Sequence, residues 1–363
     1  MSMRLKLLIG FLVSAVFTYY AFREIDYAMM VKAFQQAEYL WILPGIFFMF
    51  VSLWIRAIRW GYFMEPIKQV DRRTLFSSMM IGYYANNVFP FRVGEVIRAY
   101  AIGKAAGVSR MASFATIFVE RLIDVFSLLV LLAFSVSFHD YPLWIEKGAV
   151  TIFVITAAAT AFIIVLMFRT EQTLRVVNRL VRPFPANVKK MSDKLIRSFL
   201  EGFGIFRKAE HFWTITWQSL VLWLFYAVII YVTLEAFGLN AKYHLPIGAC
   251  IVVLVMTSIG IMLPAAPGYV GTFHWICQQA LIIFGVSDSE SLSFAVVLHI
   301  ANFIPMTLVG FYFYYKQHVN FKEAVEASAH SEPTADNQTP KWSSNAAPAS
   351  SPQQASSVDS KTD

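Results

Sequence analysis

Charge is scarce in this chain. Only 15% of its 363 residues are charged and 57% are hydrophobic, whereas a soluble domain carries roughly a quarter charged residues. A water-soluble globule is excluded. Cysteine is nearly absent: Cys250 and Cys277 both lie in apolar segments, where they act as small core residues and imply no disulfide framework. No spaced Cys/His ligand set, P-loop or nucleophile elbow occurs, so neither a metal, a cofactor nor an enzymatic reaction is expected. The net charge of +7 is not read as nucleic-acid binding, because basic loops in a membrane protein report its orientation.

What is present is apolar length. Six segments approach the ~20 residues that a membrane-crossing helix needs: 6–22, 40–58, 113–138, 148–168, 213–237 and 292–315. The first has a basic start but no small-x-small cleavage site, and ends in Tyr19, Tyr20 and Phe22; it reads as an uncleaved anchor with an aromatic belt. Two further apolar regions are interrupted, 74–108 by "NNVFPFRVG" and 246–286 by "LPAAPGYVG". The expectation is an all-α, polytopic transmembrane bundle over 1–318, and a disordered cytoplasmic tail over 319–363, rich in Ser, Ala and Pro.

Loop charge sets the topology. The 169–212 loop carries ten basic residues against four acidic ones, a net of +6, and is assigned to the cytoplasm. Arg4 and Lys6 place the N-terminus there, and the 56–73 linker follows; 23–39 and 139–147 lack net positive charge and suit the outside. Parity then makes 74–108 enter and leave on the cytoplasmic side and 246–286 on the outer side, with the C-terminus cytoplasmic. Two broken re-entrant hairpins of opposite orientation result, a pattern found in transporters whose interrupted helices meet at a midplane site. Two ordinary pairs of spans, for eight to ten membrane helices, satisfy the same parity.

The breaks carry the polar chemistry. Around Pro90 and Gly94, Asn86 and Asn87 can cap or bridge the interruption. Arg92, Glu95 and Arg98 share a helix face at spacings of three. One carboxylate cannot neutralise two guanidiniums, and the surplus suits an anion such as a phosphate; the alternative is an interfacial staple. Glu120, Arg121 and Asp124 lie early in the span 113–138 and can complement Arg92 and Arg98, either as architecture or in gating. In the second break, Pro264, Pro267, Gly268 and Gly271 interrupt the helix, and one resuming near Thr272 would aim its amides at the break. His274 offers a titratable group there, and His299 and Asn302, three apart, share a face. Arg56 and Arg59, flanked by Trp54 and Trp60, read as anchors at the cytoplasmic interface rather than as a headgroup site.

At these residues the chain resembles the flippase-like integral membrane domain family, also called the lysylphosphatidylglycerol synthase transmembrane region. The resemblance rests on an N-x-x-P-x-R-x-G-E-x-x-R block at Asn87, Pro90, Arg92, Gly94, Glu95 and Arg98, an E-R-x-x-D block at Glu120, Arg121 and Asp124, and a P-G-x-x-G turn at Pro267, Gly268 and Gly271. An early arginine pair is similar to Arg56 and Arg59, and the likeness spans 6–318. It departs at Phe91, where many relatives have a small residue, and at His274, where many have an acid. The resemblance implies lipid handling; its aminoacyltransferase domain has no counterpart in this sequence. The expected function is a lipid flippase or transporter of the cytoplasmic (inner) membrane for an anionic or modified headgroup, its partner being the membrane lipid. The competing expectation is a scaffold or accessory subunit of an envelope lipid or glycan-synthesis complex; a homo-oligomer or an envelope-biosynthesis partner is compatible with either.

Overall fold

The computed structural model describes residues 3–89, 93–136, 147–148, 150–151, 153–155, 157–158, 209–261, 265–319 and 321. The basic 169–208 loop, more than half of the 148–168 segment, the tail beyond 321, and Pro90, Arg92 and Pro264 therefore lie outside the described residues. Among those described, every regular element is helical. The elements are α1 (Met3–Phe22), α2 (Tyr27–Gln36), α3 (Ile42–Met64), α4 (Arg72–Val88), α5 (Gly94–Ala106), α6 (Arg110–Val136), α7 (Ala209–Ala236), α8 (Leu239–Tyr243), α9 (Ile247–Gly260), α10 (Thr272–Ile282) and α11 (Asp288–Gln317).

Three described segments are long and apolar enough to cross a membrane: Tyr39–Met64, Trp213–Ala236 and Asp288–Gln317. Their outward faces carry exposed Leu43, Phe47, Trp213, Trp217, Leu224 and Leu308, which is the inverse of a soluble surface and suits lipid contact. α6 has 27 residues and is as long, but carries the buried Glu120 and Asp124 on its inner face. The protein is a multi-pass membrane protein.

Both interrupted regions form helical pairs. α4 packs on α5, and α9 on α10. With 17, 13, 14 and 11 residues, these helices reach only about 26, 20, 21 and 17 Å at 1.5 Å per residue, each short of the ~30 Å hydrocarbon layer. Local chemistry sets their ends. Asp71 accepts from the amides of Arg73 and Thr74 (2.9 and 3.0 Å) to start α4, and the Thr74 hydroxyl, with these amides, holds its carboxyl below the usual range. Gly107, in the left-handed region at φ 62°, ends α5. Ser287 caps α11, with Asp288 and Glu290 in the first turn, where the helix dipole favours acids.

Packing brings the two breaks to one place. α4 lies against α11 and also touches the Pro267–Tyr269 turn of the second break, while α11 packs on α10. Asn87 at the end of α4 donates to the Thr307 hydroxyl on α11 (2.7 Å). α3 lies along α7, and α6 bridges α3, α5 and α9. α1 covers α10, where the Ser14 hydroxyl accepts from the Ala266 amide (2.9 Å).

Two differences from the sequence reading have physical causes. The 23–39 linker contains a helix, α2, which Asp26 starts by accepting from the amides of Ala28 and Met29. Ten residues are too few to register as a span. The segment expected at 40–58 continues as helix to Met64, because Arg56 and Arg59 are neutralised inside the bundle and do not end it.

Candidate functional site

The centre of the bundle is a network of charges. Glu120 on α6 is fully buried and accepts from Arg56 Nε on α3 (2.6 Å) and Arg98 on α5 (2.8 Å). Asp124, one turn along α6, accepts from Arg59 (2.6 Å) and pairs closely with Arg56. Arg56 also donates to the Tyr226 hydroxyl on α7 (3.0 Å), and Arg59 to the Ser219 hydroxyl (2.7 Å). The Arg98 guanidinium stacks 3.8 Å over the Trp60 ring, whose indole N–H is held by Thr116 (3.0 Å). Buried ions are tolerated only when paired and hydrogen-bonded, and four helices supply these partners.

Arg121 differs from its neighbours. Its side chain is 28% exposed, and its nearest carboxylates are Asp124 at 3.5 Å, Glu120 at 3.8 Å and Glu95 at 4.0 Å, all outside ordinary hydrogen-bond distance. Four guanidiniums (Arg56, Arg59, Arg98, Arg121) thus face three carboxylates (Glu95, Glu120, Asp124) among the described residues, a local formal charge of +1. The surplus lies at the most accessible arginine of the four.

The first break is built around Asn86. Its carbonyl oxygen accepts from the Gly94 amide (2.7 Å), starting α5, and its amide faces Glu95 (3.5 Å). Gly94 is required by contact: a Cβ there would lie far inside van der Waals contact with the Gly82 carbonyl oxygen and 2.5 Å from Asn86. The helices of this hairpin therefore meet backbone to backbone.

In the second break α10 begins at Thr272, as the sequence predicts, and two histidines close the turn before it. The Gly271 amide donates to His274 Nδ1 (3.3 Å), and His274 Nε2 lies 3.1 Å from His299 Nδ1 on α11. The turn contains Gly268, Tyr269 and Gly271 at φ 68°, 59° and 87°, all in the left-handed region.

A cavity of about 330 Å³ joins these parts, at the lower end of the range for small-molecule sites (about 300–1,000 Å³). Arg56, Arg121, Asp124, Asn86 and Asn87 line one side; Tyr269, Phe273, His299, Asn302 and Phe303 line another. Apolar walls come from Met49, Leu53, Leu128, Ile229 and Leu254. The arrangement offers a largely apolar chamber with anchored charge and a few polar groups in its wall.

The sequence patterns of known families place this architecture: residues 7–310 match the family described as Lysylphosphatidylglycerol synthase TM region. The chain belongs to that family. Proteins similar to the chain include two UPF0104 membrane proteins of Methanothermobacter thermautotrophicus. Both are 24% identical over 295 residues, covering 77% of this chain and 86% and 84% of theirs. A UPF0104 membrane protein of Methanocaldococcus jannaschii is 22% identical over 307 residues, 80% of this chain and 88% of its own. No solved structure matches.

Set against the sequence reading, the lysylphosphatidylglycerol synthase TM region fold brings Asn86, Glu95, Arg98, Glu120, Arg121 and Asp124 together, as the helix spacing suggested. Arg92, Pro90 and Pro264 lie outside the described residues. Pro267, Gly268 and Gly271 shape the second turn, and His274 meets His299 instead of standing alone. The reading of Arg56 and Arg59 as interface anchors is corrected: they are 7% and 0% exposed and hold the acids of α6. Charge counting gave no hint of this, since Arg92, Arg98 and Arg121 already balance Glu95, Glu120 and Asp124 in the sequence. Ser219, Tyr226 and Tyr83 were not foreseen; single hydroxyls in apolar helices carry no pattern.

Proposed function

We propose that the protein is a lipid transporter of the cytoplasmic membrane, with both termini cytoplasmic, and that its cavity receives the phosphate-bearing headgroup of an anionic lipid while the acyl chains stay in the bilayer. The observation that carries this reading is the cavity that joins the charged network at the first break to the second break. Among the described residues, the formal surplus of one positive charge sits at Arg121, which has the loosest carboxylate partners of the four arginines in the network. A guanidinium fork matches phosphate geometry, and interrupted helices meeting at a central cavity suit alternating exposure of one site. Arg56, Arg59, Arg98, Glu120 and Asp124 form the frame that keeps Arg121 in place.

Arg121→Gln is the variant to test, because it removes the surplus charge and leaves the closest ion pairs. A charge-assisted hydrogen bond is worth about 1.5–3 kcal/mol, so phosphatidylglycerol binding, titrated by native mass spectrometry, is expected to weaken about 10- to 100-fold. Phosphatidylglycerol binding unchanged in Arg121→Gln contradicts the headgroup assignment.

A further inference from the structure

We propose that His274 and His299 form a proton-binding latch that holds the second break closed over the cavity, and that acidification opens it. The inference rests on the transport reading for its purpose, but on its own geometry for its existence. Three of the four ring nitrogens have a role fixed by a partner. His274 Nδ1 must accept, because its partner is the Gly271 N–H. His274 Nε2 then carries the proton and donates to His299 Nδ1. His299 Nε2 is left to carry the second proton. The chain runs in one direction, uses two neutral imidazoles and ties the Gly271 end of the 268–271 turn to α11.

A third proton has no place in this arrangement. On His274 Nδ1 it would confront the Gly271 N–H; on His299 Nδ1 it would confront the N–H of His274. It would also set a cation against a second imidazole in a largely apolar shell of Phe273 and Phe303. The closed form therefore binds fewer protons than one in which the rings separate, and by linkage lower pH favours separation. The ordinary imidazole range, near pH 6.5, sets the window. The turn is suited to release: three of its residues are in the left-handed region, where a non-glycine such as Tyr269 is held by its surroundings.

The other groups facing the pair do not supply a competing switch. α1 presents Ser14 and Thr18 to the turn, the turn itself presents the Tyr269 phenol, and α9 presents Ser258 to the cavity. Arg56, Arg121 and Asp124 line the same cavity from α3 and α6, and the two arginines oppose a protonated histidine, adding to the pressure to open.

The test uses the full chain in lipid nanodiscs, with Cys250→Ala and Cys277→Ala removing the native thiols and Ala266→Cys reporting on the turn. Ala266 is 8% exposed when the turn is closed. Maleimide labelling, normalised at each pH to the unfolded protein, is expected to rise about tenfold between pH 8 and pH 5, and to be flat in His274→Gln/His299→Gln. A single His299→Gln variant, which keeps one imidazole and a hydrogen-bonding partner, reports if the double variant does not fold; its rise is expected to be clearly smaller than that of the protein with both histidines, because only His274 still excludes a proton in the closed form. A flat reporter with both histidines present, or the same rise without them, overturns the latch. Phosphatidylglycerol translocation measured in parallel separates the two readings. A pH-dependent reporter without translocation at any pH keeps the latch and removes the transport reading; translocation beside a flat reporter does the reverse.

Discussion

Glu120→Ala is expected to give the largest loss of stability of any single side-chain truncation in the bundle. Glu120 is fully buried and holds Arg56 and Arg98, each within 2.8 Å. Truncation leaves two guanidiniums inside the bundle with one carboxylate fewer, and breaking a buried pair costs about 3–5 kcal/mol. Asp124 cannot compensate, because it already accepts from Arg59 and pairs with Arg56. The measurement is apparent melting in detergent, followed by size-exclusion fluorescence. A fall on the order of 10 °C is expected for Glu120→Ala, with little change for Arg121→Gln. Equal, small shifts for both would mean that the network is not the frame of the fold.

The second large effect is expected at Gly94. The amide of this residue is held by Asn86 (2.7 Å) and its Cα faces the Gly82 carbonyl oxygen with no room for a methyl group. Gly94→Ala forces α4 and α5 apart, which breaks the Asn86 bond and shifts Glu95 and Arg98 on the same helix. Overpacking typically costs about 1–3 kcal/mol and more where the backbone itself must move. The variant is expected to melt several degrees lower than wild type and, because Arg98 is displaced from Glu120, to lose ligand-induced stabilisation by phosphatidylglycerol. Gly107→Ala serves as a contrast, since Gly107 has open space around it and only an unfavourable φ of 62°. A Gly94→Ala protein as stable as Gly107→Ala would show that the hairpin tolerates separation.

The positions of both breaks were legible in the sequence because proline and glycine interrupt apolar runs in a way no continuous helix allows. Glu120 with Asp124 on one face followed from helix spacing, and Asn86 as a cap or bridge from its place beside the break. Arg56 and Arg59 were not legible at their true depth. Between two tryptophans, an arginine pair resembles an interfacial belt, and only the acids of α6, more than sixty residues away, reveal that the helix continues past them. The histidine pair shows the same limit: His299 and Asn302 share a face by spacing, but the contact with His274 depends on how α10 crosses α11. Long-range pairing of polar groups in an apolar chain leaves no local pattern, whereas breaks and helix faces do.

Transport requires that a headgroup pass through the cavity. The most direct measurement is translocation of short-chain fluorescent phosphatidylglycerol in proteoliposomes, read by dithionite quenching, with wild type and Arg121→Gln reconstituted at equal density. The account predicts protein-dependent translocation by wild type and a loss of about tenfold or more in Arg121→Gln. Wild-type vesicles indistinguishable from protein-free ones, or Arg121→Gln as fast as wild type, would contradict it.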